Sequence, residues 1–164
     1  MIKAESEEQN VAAALAWIVG ILSEHKIPFQ VTGGLAARLY GSTRPLADID
    51  LDVPEESLPV LAGLLDGHTV FGPARVRDQE WDITLLTVSY AGWSIDLGGA
   101  YQTRIFDRAA QSWVPVRTDL KTAVRLEVFG IAVAVVAKDD LVAYKRRLNR
   151  EVDRIDVAAV EASR

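Results

Sequence analysis

Residues 31 to 53 read VTGGLAARLYGSTRPLADIDLDV, and the interpretation of the whole chain starts from this segment. An apolar run at residues 29 to 31 predicts a buried strand, and two glycines then lead into residues 35 to 40, which have helical spacing. Glycine lets the backbone approach a ligand closely, and the first turn of a helix offers unpaired N–H donors. Gly33 and Gly34 are therefore candidate phosphate-binding residues.

Acidic and apolar residues alternate near the end of this segment, from Asp48 to Asp52. Side chains repeat every two residues along a strand, so the carboxylates lie on one face and the apolar side chains on the other. Adjacent carboxylates repel one another unless a cation lies between them, and Mg²⁺ takes such hard oxygen ligands together with substrate phosphates. Asp48 and Asp50 are therefore candidate magnesium ligands.

Each feature alone also has an ordinary structural interpretation. A Gly-Gly pair before a helix is most often a simple turn, and an alternating acidic strand is often a solvated face beside a buried one. Their order and spacing are more specific. The run GGLAARLYGSTRPLADIDL resembles the pattern GGxAxxxxGxxRxTxDIDL of the nucleotidyltransferase superfamily, to which DNA polymerase beta and the aminoglycoside nucleotidyltransferases belong. The resemblance is greatest to small bacterial minimal nucleotidyltransferases and to related abortive-infection toxins, although Leu46 replaces the Thr of the pattern.

The resemblance implies an α/β (α+β) fold, with a nucleotidyltransferase-like mixed β-sheet that carries helices mainly on one face. It also implies a third acidic residue on a later strand, and Asp96 in WSIDLGG matches that residue. Asp48, Asp50 and Asp96 would then be the catalytic and metal-binding residues. Ser42 and Arg44, which lie between the glycines and the acidic strand, join Gly33 and Gly34 as candidate nucleotide-binding residues.

The C-terminal run DDLVAYKRRLNREVDRIDVAAV resembles the closing motif of the same family. Lys145, Arg150, Asp153 and Asp156 match that motif, and the resemblance implies that Lys145 contacts nucleotide phosphate. Asn149 is a candidate helix break that would redirect Arg150. We interpret the other arginines of this run as a solvated face paired with Glu151 and Asp153; they are Arg146, Arg147 and Arg154.

The rest of the chain predicts one domain, 1–164, with a leading helix in 1–28, a sheet core in 29–137 and C-terminal helices in 138–164. The first helix is expected over Ser6 to Ile21, with Ser6 as N-cap and Gln9 completing a capping box. Residues 100 to 122 show no clear periodicity. The remaining strands are expected at 68–71, 74–77, 83–90 and 93–97, with a hairpin at 123–128 and 131–136.

Composition restricts the classes of function. The chain has 164 residues, no cysteine and a net charge of −5. Disulfides and thiolate metal sites are therefore excluded, and broad salt-driven nucleic-acid binding is disfavoured. The polar, acidic start is unlike a signal peptide, and no apolar run is long enough for a membrane span, so we expect a cytoplasmic location.

These observations favour a Mg²⁺-dependent nucleotidyltransferase that moves a nucleoside monophosphate from an NTP, such as ATP, to an acceptor hydroxyl. The acceptor stays open between a small molecule, a tRNA and a protein. The alternative is a catalytically silent domain that binds a nucleotide or a protein partner, for example in a toxin–antitoxin pair, or that forms a homodimer. The intact acids favour the first hypothesis, whereas Leu46 and the small size favour the second. A third alternative is a generic α/β domain in which the motif is accidental.

Overall fold

The computed structural model describes the backbone of residues 2 to 163 and the side chains of residues 5 to 163; Met1 and Arg164 of the expected domain lie outside the described residues. The helices are α1 (Ile2–Glu24), α2 (Gly33–Leu39), α3 (Leu58–Leu64), α4 (Lys138–Leu148) and α5 (Glu151–Ala162). The strands are β1 (Gln30–Thr32), β2 (Ile49–Val53), β3 (Thr69–Arg77), β4 (Trp81–Tyr90), β5 (Trp93–Gly99), β6 (Arg104–Asp107), β7 (Ser112–Pro115), β8 (Val124–Val128) and β9 (Ile131–Val135). Short 3₁₀ turns occupy Glu55–Ser57 and Leu120–Thr122.

The strands form one mixed sheet in the order β7-β6-β4-β5-β2-β1-β9-β8, with β3 paired to β4. Two pairs are parallel, β2 with β5 and β1 with β9, and the other pairs are antiparallel. β2 therefore lies between β1 and β5, near the middle of the sheet. A central strand is fixed on both sides by hydrogen bonds, so side chains on β2 are held in defined positions.

The alternating sequence of β2 gives the sheet one apolar and one acidic face at this point. Ile49, Leu51 and Val53 are buried, and they belong to a core that also contains residues of α1, α2 and α3. α4 and α5 add Leu141 and Val160 to this core; both helices contact α2, and α4 also contacts β6. Burial of the apolar face fixes the register of β2, because a slip by one residue would turn the acids into the core. The predicted fold class, a mixed sheet with packed helices, is confirmed.

Several element boundaries differ from the predictions. α1 begins at Ile2, so Ser6 lies inside the helix and the predicted N-cap and capping box are wrong. The two strands expected at 68–71 and 74–77 are one strand, β3, whose register with β4 shifts between Phe71 and Ala74. The segment 100–122, which showed no periodicity, contains the β6–β7 hairpin.

The predicted helix break at Asn149 is confirmed. Asn149 has a left-handed backbone conformation, with φ 48° and ψ 38°, and its N–H donates to the carbonyl of Lys145 as the helix closes. Asparagine tolerates this conformation better than most residues, because its short polar side chain costs little there. α4 and α5 are consequently two separate helices.

Within residues 2 to 163, no helix combines the length and apolar character that crossing a lipid bilayer requires. The single-domain boundaries and the cytoplasmic location stay predictions.

Candidate active site

Two adjacent parallel strands place the three predicted acids together. Asp50 of β2 pairs in register with Asp96 of β5, and Asp48 directly precedes β2 on the same face. One carboxylate oxygen from each of Asp48, Asp50 and Asp96 lies within 4.8 Å of the other two. Strand periodicity and register together therefore produce a compact cluster, which we call the acidic triad.

The electrostatics of the acidic triad favour a bound cation. Burial raises the pKa of Asp50 well above its ordinary value, and the nearby charges of Asp48 and Asp96 raise it further. Burial also raises the pKa of Asp96, although a hydrogen bond of 2.6 Å from the Thr87 hydroxyl opposes that shift. Burial and the repulsion between neighbouring carboxylates both penalise the ionised form of these side chains when no cation is near.

The donor set of the acidic triad fits a hard divalent cation. Carboxylate oxygens are ligands that Mg²⁺ prefers, and Mg²⁺ keeps several water or phosphate oxygens in its other positions. The three side chains are only half-buried, so such additional ligands have access. The residues present therefore fit Mg²⁺, with Asp48, Asp50 and Asp96 as protein ligands.

The absence of a side chain at Gly33 leaves room for the Asp50 carboxylate of the triad. Its φ of +63° lies in the left-handed region, and a Cβ at this position would collide with the Asp50 carboxylate. A Cβ at Gly34 would lie 3.3 Å from Nη2 of Arg44, which is tighter than an ordinary contact. The two glycines thus allow the start of α2 to lie against both an acid and an arginine. Their predicted contact with phosphate stays a prediction.

A cleft of about 560 Å³ opens onto these groups. Its size is in the range of ordinary small-ligand sites. The cleft is lined by Gly33, Gly34, the acidic triad, Arg44, Lys145 and Arg150, and on another side by Val76, Trp81, Ile83, Leu85 and Tyr144. Seven of the eight predicted site residues therefore line one cleft. Ser42, the eighth, is buried and does not line it.

The cationic side chains of the cleft form a second cluster around two buried acids of α5. Asp153 and Asp156 are 0% and 1% exposed, and Lys145 is 3% exposed. Lys145 Nζ lies 3.0 Å from Asp156 Oδ2 and 3.5 Å from Asp153 Oδ1. Arg44 donates to Asp156, and Arg150 donates to Asp153 through Nε at 2.7 Å. We call these five residues the α5 ion cluster.

Asp156 carries a fully satisfied charge within this cluster. Burial alone would raise the pKa of its carboxyl, but hydrogen bonds from Arg44, Ser42 and Lys145 outweigh burial and lower the pKa to about 2. Ser42 contributes a hydrogen bond of 2.7 Å from its hydroxyl. Ser42 therefore acts on the cleft indirectly, through Asp156 and through the Arg44 backbone N–H, which donates to its hydroxyl oxygen at 3.4 Å.

The arginines expected on a solvated face are exposed, but their partners differ from the prediction. Arg146 pairs with Glu161, and Arg154 donates to the backbone carbonyl of Asn149. Asp153 accepts instead from Arg150, because the break at Asn149 places Arg150 at the start of α5.

An aromatic pair in the cleft was not predicted from the sequence. Trp81 Nε1 donates to the Tyr144 hydroxyl at 2.6 Å, and the Arg150 guanidinium lies 4.7 Å from the centre of the Trp81 ring. These residues belong to β4, α4 and the start of α5, and the first is more than sixty positions from the others. No local spacing signals such a contact.

A smaller cavity of about 200 Å³ adjoins the cleft, and Thr32, Asp52, Ile83 and Tyr144 line both. Asp52 accepts a hydrogen bond of 2.8 Å from Gln30, which lies directly opposite on β1. Burial raises the pKa of Asp52 to about 6; the charge of Glu55 adds to this shift and the Gln30 hydrogen bond opposes it. The acidic face of β2 thus continues beyond the triad into this cavity.

Comparison with known proteins supports the fold. No family model and no curated protein sequence matches the chain. Among solved structures, it is similar to a candidate nucleotidyltransferase from Thermotoga maritima, with a TM-score of 0.67 and 19% identity over 92% of this chain and 89% of that one.

It is also similar to the lincosamide antibiotic adenylyltransferase LnuA in its lincomycin-bound form, with a TM-score of 0.59 and 11% identity over 90% of this chain and 94% of that one. The antibiotic-resistance factor ANT(2'')-Ia gives a TM-score of 0.62 and 15% identity over 94% and 84% of the two chains. The chain therefore has the nucleotidyltransferase fold.

Proposed function

We propose that this protein is a Mg²⁺-dependent nucleotidyltransferase. The observation that carries the proposal is the acidic triad, which faces a cleft of substrate size whose other wall holds Arg44, Lys145 and Arg150. Transfer of a nucleoside monophosphate requires positioning and neutralisation of charge more than covalent chemistry by the protein. Carboxylates that can hold a metal ion and cationic side chains that face the phosphates meet this requirement.

The proposed reaction joins the acceptor hydroxyl oxygen to the α-phosphorus of the NTP. The bond between the α-phosphorus and its bridging oxygen breaks, and pyrophosphate leaves. When bound, Mg²⁺ would neutralise phosphate charge and orient the triphosphate. Asp48 and Asp50 would hold this ion, while Asp96 would either share a second ion or accept the proton of the acceptor hydroxyl.

The cationic wall of the cleft complements this role. Arg44 lies beside Gly34 at the start of α2, and Lys145 lines the same cleft from α4. Charge develops on pyrophosphate as it leaves, and cations that are already fixed in the cleft stabilise that charge without reorganising. We therefore assign Gly33, Gly34, Arg44 and Lys145 to the triphosphate.

The acceptor is left open between a small molecule, a tRNA and a protein. LnuA is described with lincomycin bound, and ANT(2'')-Ia with adenylyl-2"-tobramycin. Lincomycin and tobramycin are therefore rational first acceptors to test here. Fold similarity does not transfer an acceptor, because acceptor sites depend on loops and surface residues.

Calorimetric titration of ATP, GTP, CTP and UTP, with and without Mg²⁺, tests the proposal. We expect Mg²⁺-dependent binding of at least one NTP by the wild type. The Asp48→Ala/Asp50→Ala double variant should lose at least about 100-fold in affinity, because both proposed metal ligands are gone. Asp82→Asn, which neutralises a carboxylate that pairs with Arg75 outside the cleft, is the matched control.

If the double variant kept the wild-type affinity for the NTP, the acidic triad would not be part of the nucleotide-binding site. If the wild type bound no NTP, the silent domain with a protein partner would become the better hypothesis. A release assay for pyrophosphate with lincomycin, tobramycin and bulk tRNA then separates turnover from binding.

A further inference from the structure

The buried carboxylate of Asp156 accepts from three side chains in two separate parts of the chain, the segment between α2 and β2 and helix α4. The Ser42 hydroxyl donates at 2.7 Å, Arg44 donates through Nε at 3.1 Å and Nη2 at 2.8 Å, and Lys145 Nζ lies at 3.0 Å. Both oxygens are used, and the residue is 1% exposed. Such a site does not leave the carboxylate free to bind a ligand itself.

The donors of Asp156 divide into two kinds. Arg44 and Lys145 line the cleft, whereas the third donor, Ser42, does not. Asp156 itself does not line the cleft either. Asp156 therefore lies behind the cationic wall of the cleft and touches both of its proposed triphosphate contacts. Ser42 fixes the orientation of the carboxylate from the segment that precedes β2.

Fixing these cations has an energetic consequence for binding. Free lysine and arginine side chains lose rotamer entropy when a ligand immobilises them. Asp156 imposes this order in the folded protein before any ligand arrives. A bidentate arginine–carboxylate pair also defines the plane of the guanidinium, which a single contact would not do.

We propose that Asp156, oriented by Ser42, is a positioning residue that presents Arg44 and Lys145 to the β- and γ-phosphates of the nucleotide. This inference rests on the proposed function and assigns the predicted nucleotide-binding residue Ser42 an indirect role. Asp156 is not a catalytic residue in this scheme, because it touches only protein groups.

Electrostatics alone predict the opposite result for removal of Asp156. A carboxylate behind the cationic wall repels a triphosphate, so its neutralisation should tighten binding if charge were its only contribution. Positioning predicts weaker binding, since Arg44 and Lys145 would lose their fixed geometry. The sign of the change in affinity therefore decides between the two roles.

The test compares MgATP and AMP binding by calorimetry in wild type and Asp156→Asn. We expect the variant to bind MgATP about tenfold more weakly, the scale of one lost charge-assisted hydrogen bond. Affinity for AMP, which has no β- or γ-phosphate, should change less than about twofold. Glu161→Gln, with the same charge change on the same helix, should leave both affinities unchanged.

Two further variants separate positioning from folding. Ser42→Ala keeps both cations paired with Asp156, and it should weaken MgATP binding by about threefold while lowering the melting temperature by only about 2 to 4 °C, the cost of one hydrogen bond. Asp156→Glu should restore part of the MgATP affinity lost in Asp156→Asn. With Asp156→Asn in place, a further Arg44→Gln change should cost less affinity than it does in the wild type.

Equal or tighter MgATP binding by Asp156→Asn, or equal losses for ATP and AMP, would overturn the positioning role and leave the proposed function intact. If Asp156→Asn did not fold, an unchanged MgATP affinity in Ser42→Ala would overturn it in the same way. Absence of MgATP binding by the wild type would instead overturn the proposed function, and the positioning role with it.

Discussion

The acidic triad and the α5 ion cluster face the same cleft, but their charges are balanced in different ways. Asp153 and Asp156 of the α5 ion cluster each have cationic partners within 3.5 Å. In residues 5 to 163, no lysine, arginine or histidine forms an ion pair with the triad. The acids of one wall are paired within the protein, whereas those of the other depend on a ligand for their counter-charge.

This difference predicts how changes in the two regions will affect stability. A buried charge that loses its partner costs the fold several kcal/mol, so changes in the α5 ion cluster should appear first in stability. Carboxylates that repel one another already cost stability, so neutral variants of the triad should fold at least as well. Residues retained against stability are typical of binding and catalytic sites.

The largest expected effect comes from breaking the α5 ion cluster. Lys145→Met keeps most of the side-chain volume but leaves two buried carboxylates without their shared cation. We expect the free energy of unfolding to fall by about 3 kcal/mol, the usual scale for one removed partner of a buried pair. Urea denaturation monitored by circular dichroism measures this change.

Arg146→Met provides the matched control for that experiment. Arg146 is the next residue of α4, and its ion pair with Glu161 is exposed. Such a pair contributes at most about 1 kcal/mol. If the two variants lost equal stability, the α5 ion cluster would not be the internally balanced region described here.

The two regions also differ in how far the sequence predicts them. Local alternation gave the acidic face of β2, and Asp96 was found because an acid on a short strand matched the family pattern. The partner of Ser42 and Arg44 lies more than 110 residues away. No sequence period encodes such a contact, so the α5 ion cluster was predicted only as separate residues, without its pairing.

Two strand predictions differ from the structure for local reasons. The β6–β7 hairpin was missed because Gln111, rather than glycine, adopts a left-handed conformation in its turn, with φ 53°. β3 was read as two strands because Gly72 and Pro73 normally mark a turn. In the structure they lie in an edge strand at a shift of register, where proline is tolerated.

An intermediate effect should appear in the pH dependence of stability. Asp50 and Asp96 have raised pKa values in the folded protein, so the metal-free fold binds more protons than the unfolded chain above about pH 4. Stability should therefore fall as the pH rises from about 4 towards 7. Asp156 acts in the opposite sense: its pKa of about 2 contributes stability that is complete above about pH 4 and is lost as the pH falls towards 2.

The Asp50→Asn variant measures the contribution of the triad to this pH dependence of stability. At pH 7 without Mg²⁺ the variant should be more stable than the wild type by about 2 kcal/mol, between the roughly 1 kcal/mol of two like charges about 4 Å apart in bulk water and the roughly 4 kcal/mol of such a pair near a protein surface. Melting curves from pH 4 to 8 measure this gain, which saturating Mg²⁺ should abolish. A variant that is less stable than the wild type at pH 7 would contradict the unbalanced state of the triad.

The smallest effect concerns Trp81, which lies in the cleft between the two regions. Trp81→Phe keeps an aromatic ring under the Arg150 guanidinium but removes the N–H that donates to Tyr144. We expect a loss of about 1 kcal/mol in unfolding free energy, the net contribution of one hydrogen bond. Trp113→Phe, on β7 and outside the cleft, is the control and should lose no hydrogen bond to Tyr144. A loss several times larger in Trp81→Phe would show that the aromatic pair, and not the α5 ion cluster alone, holds α4 against β4.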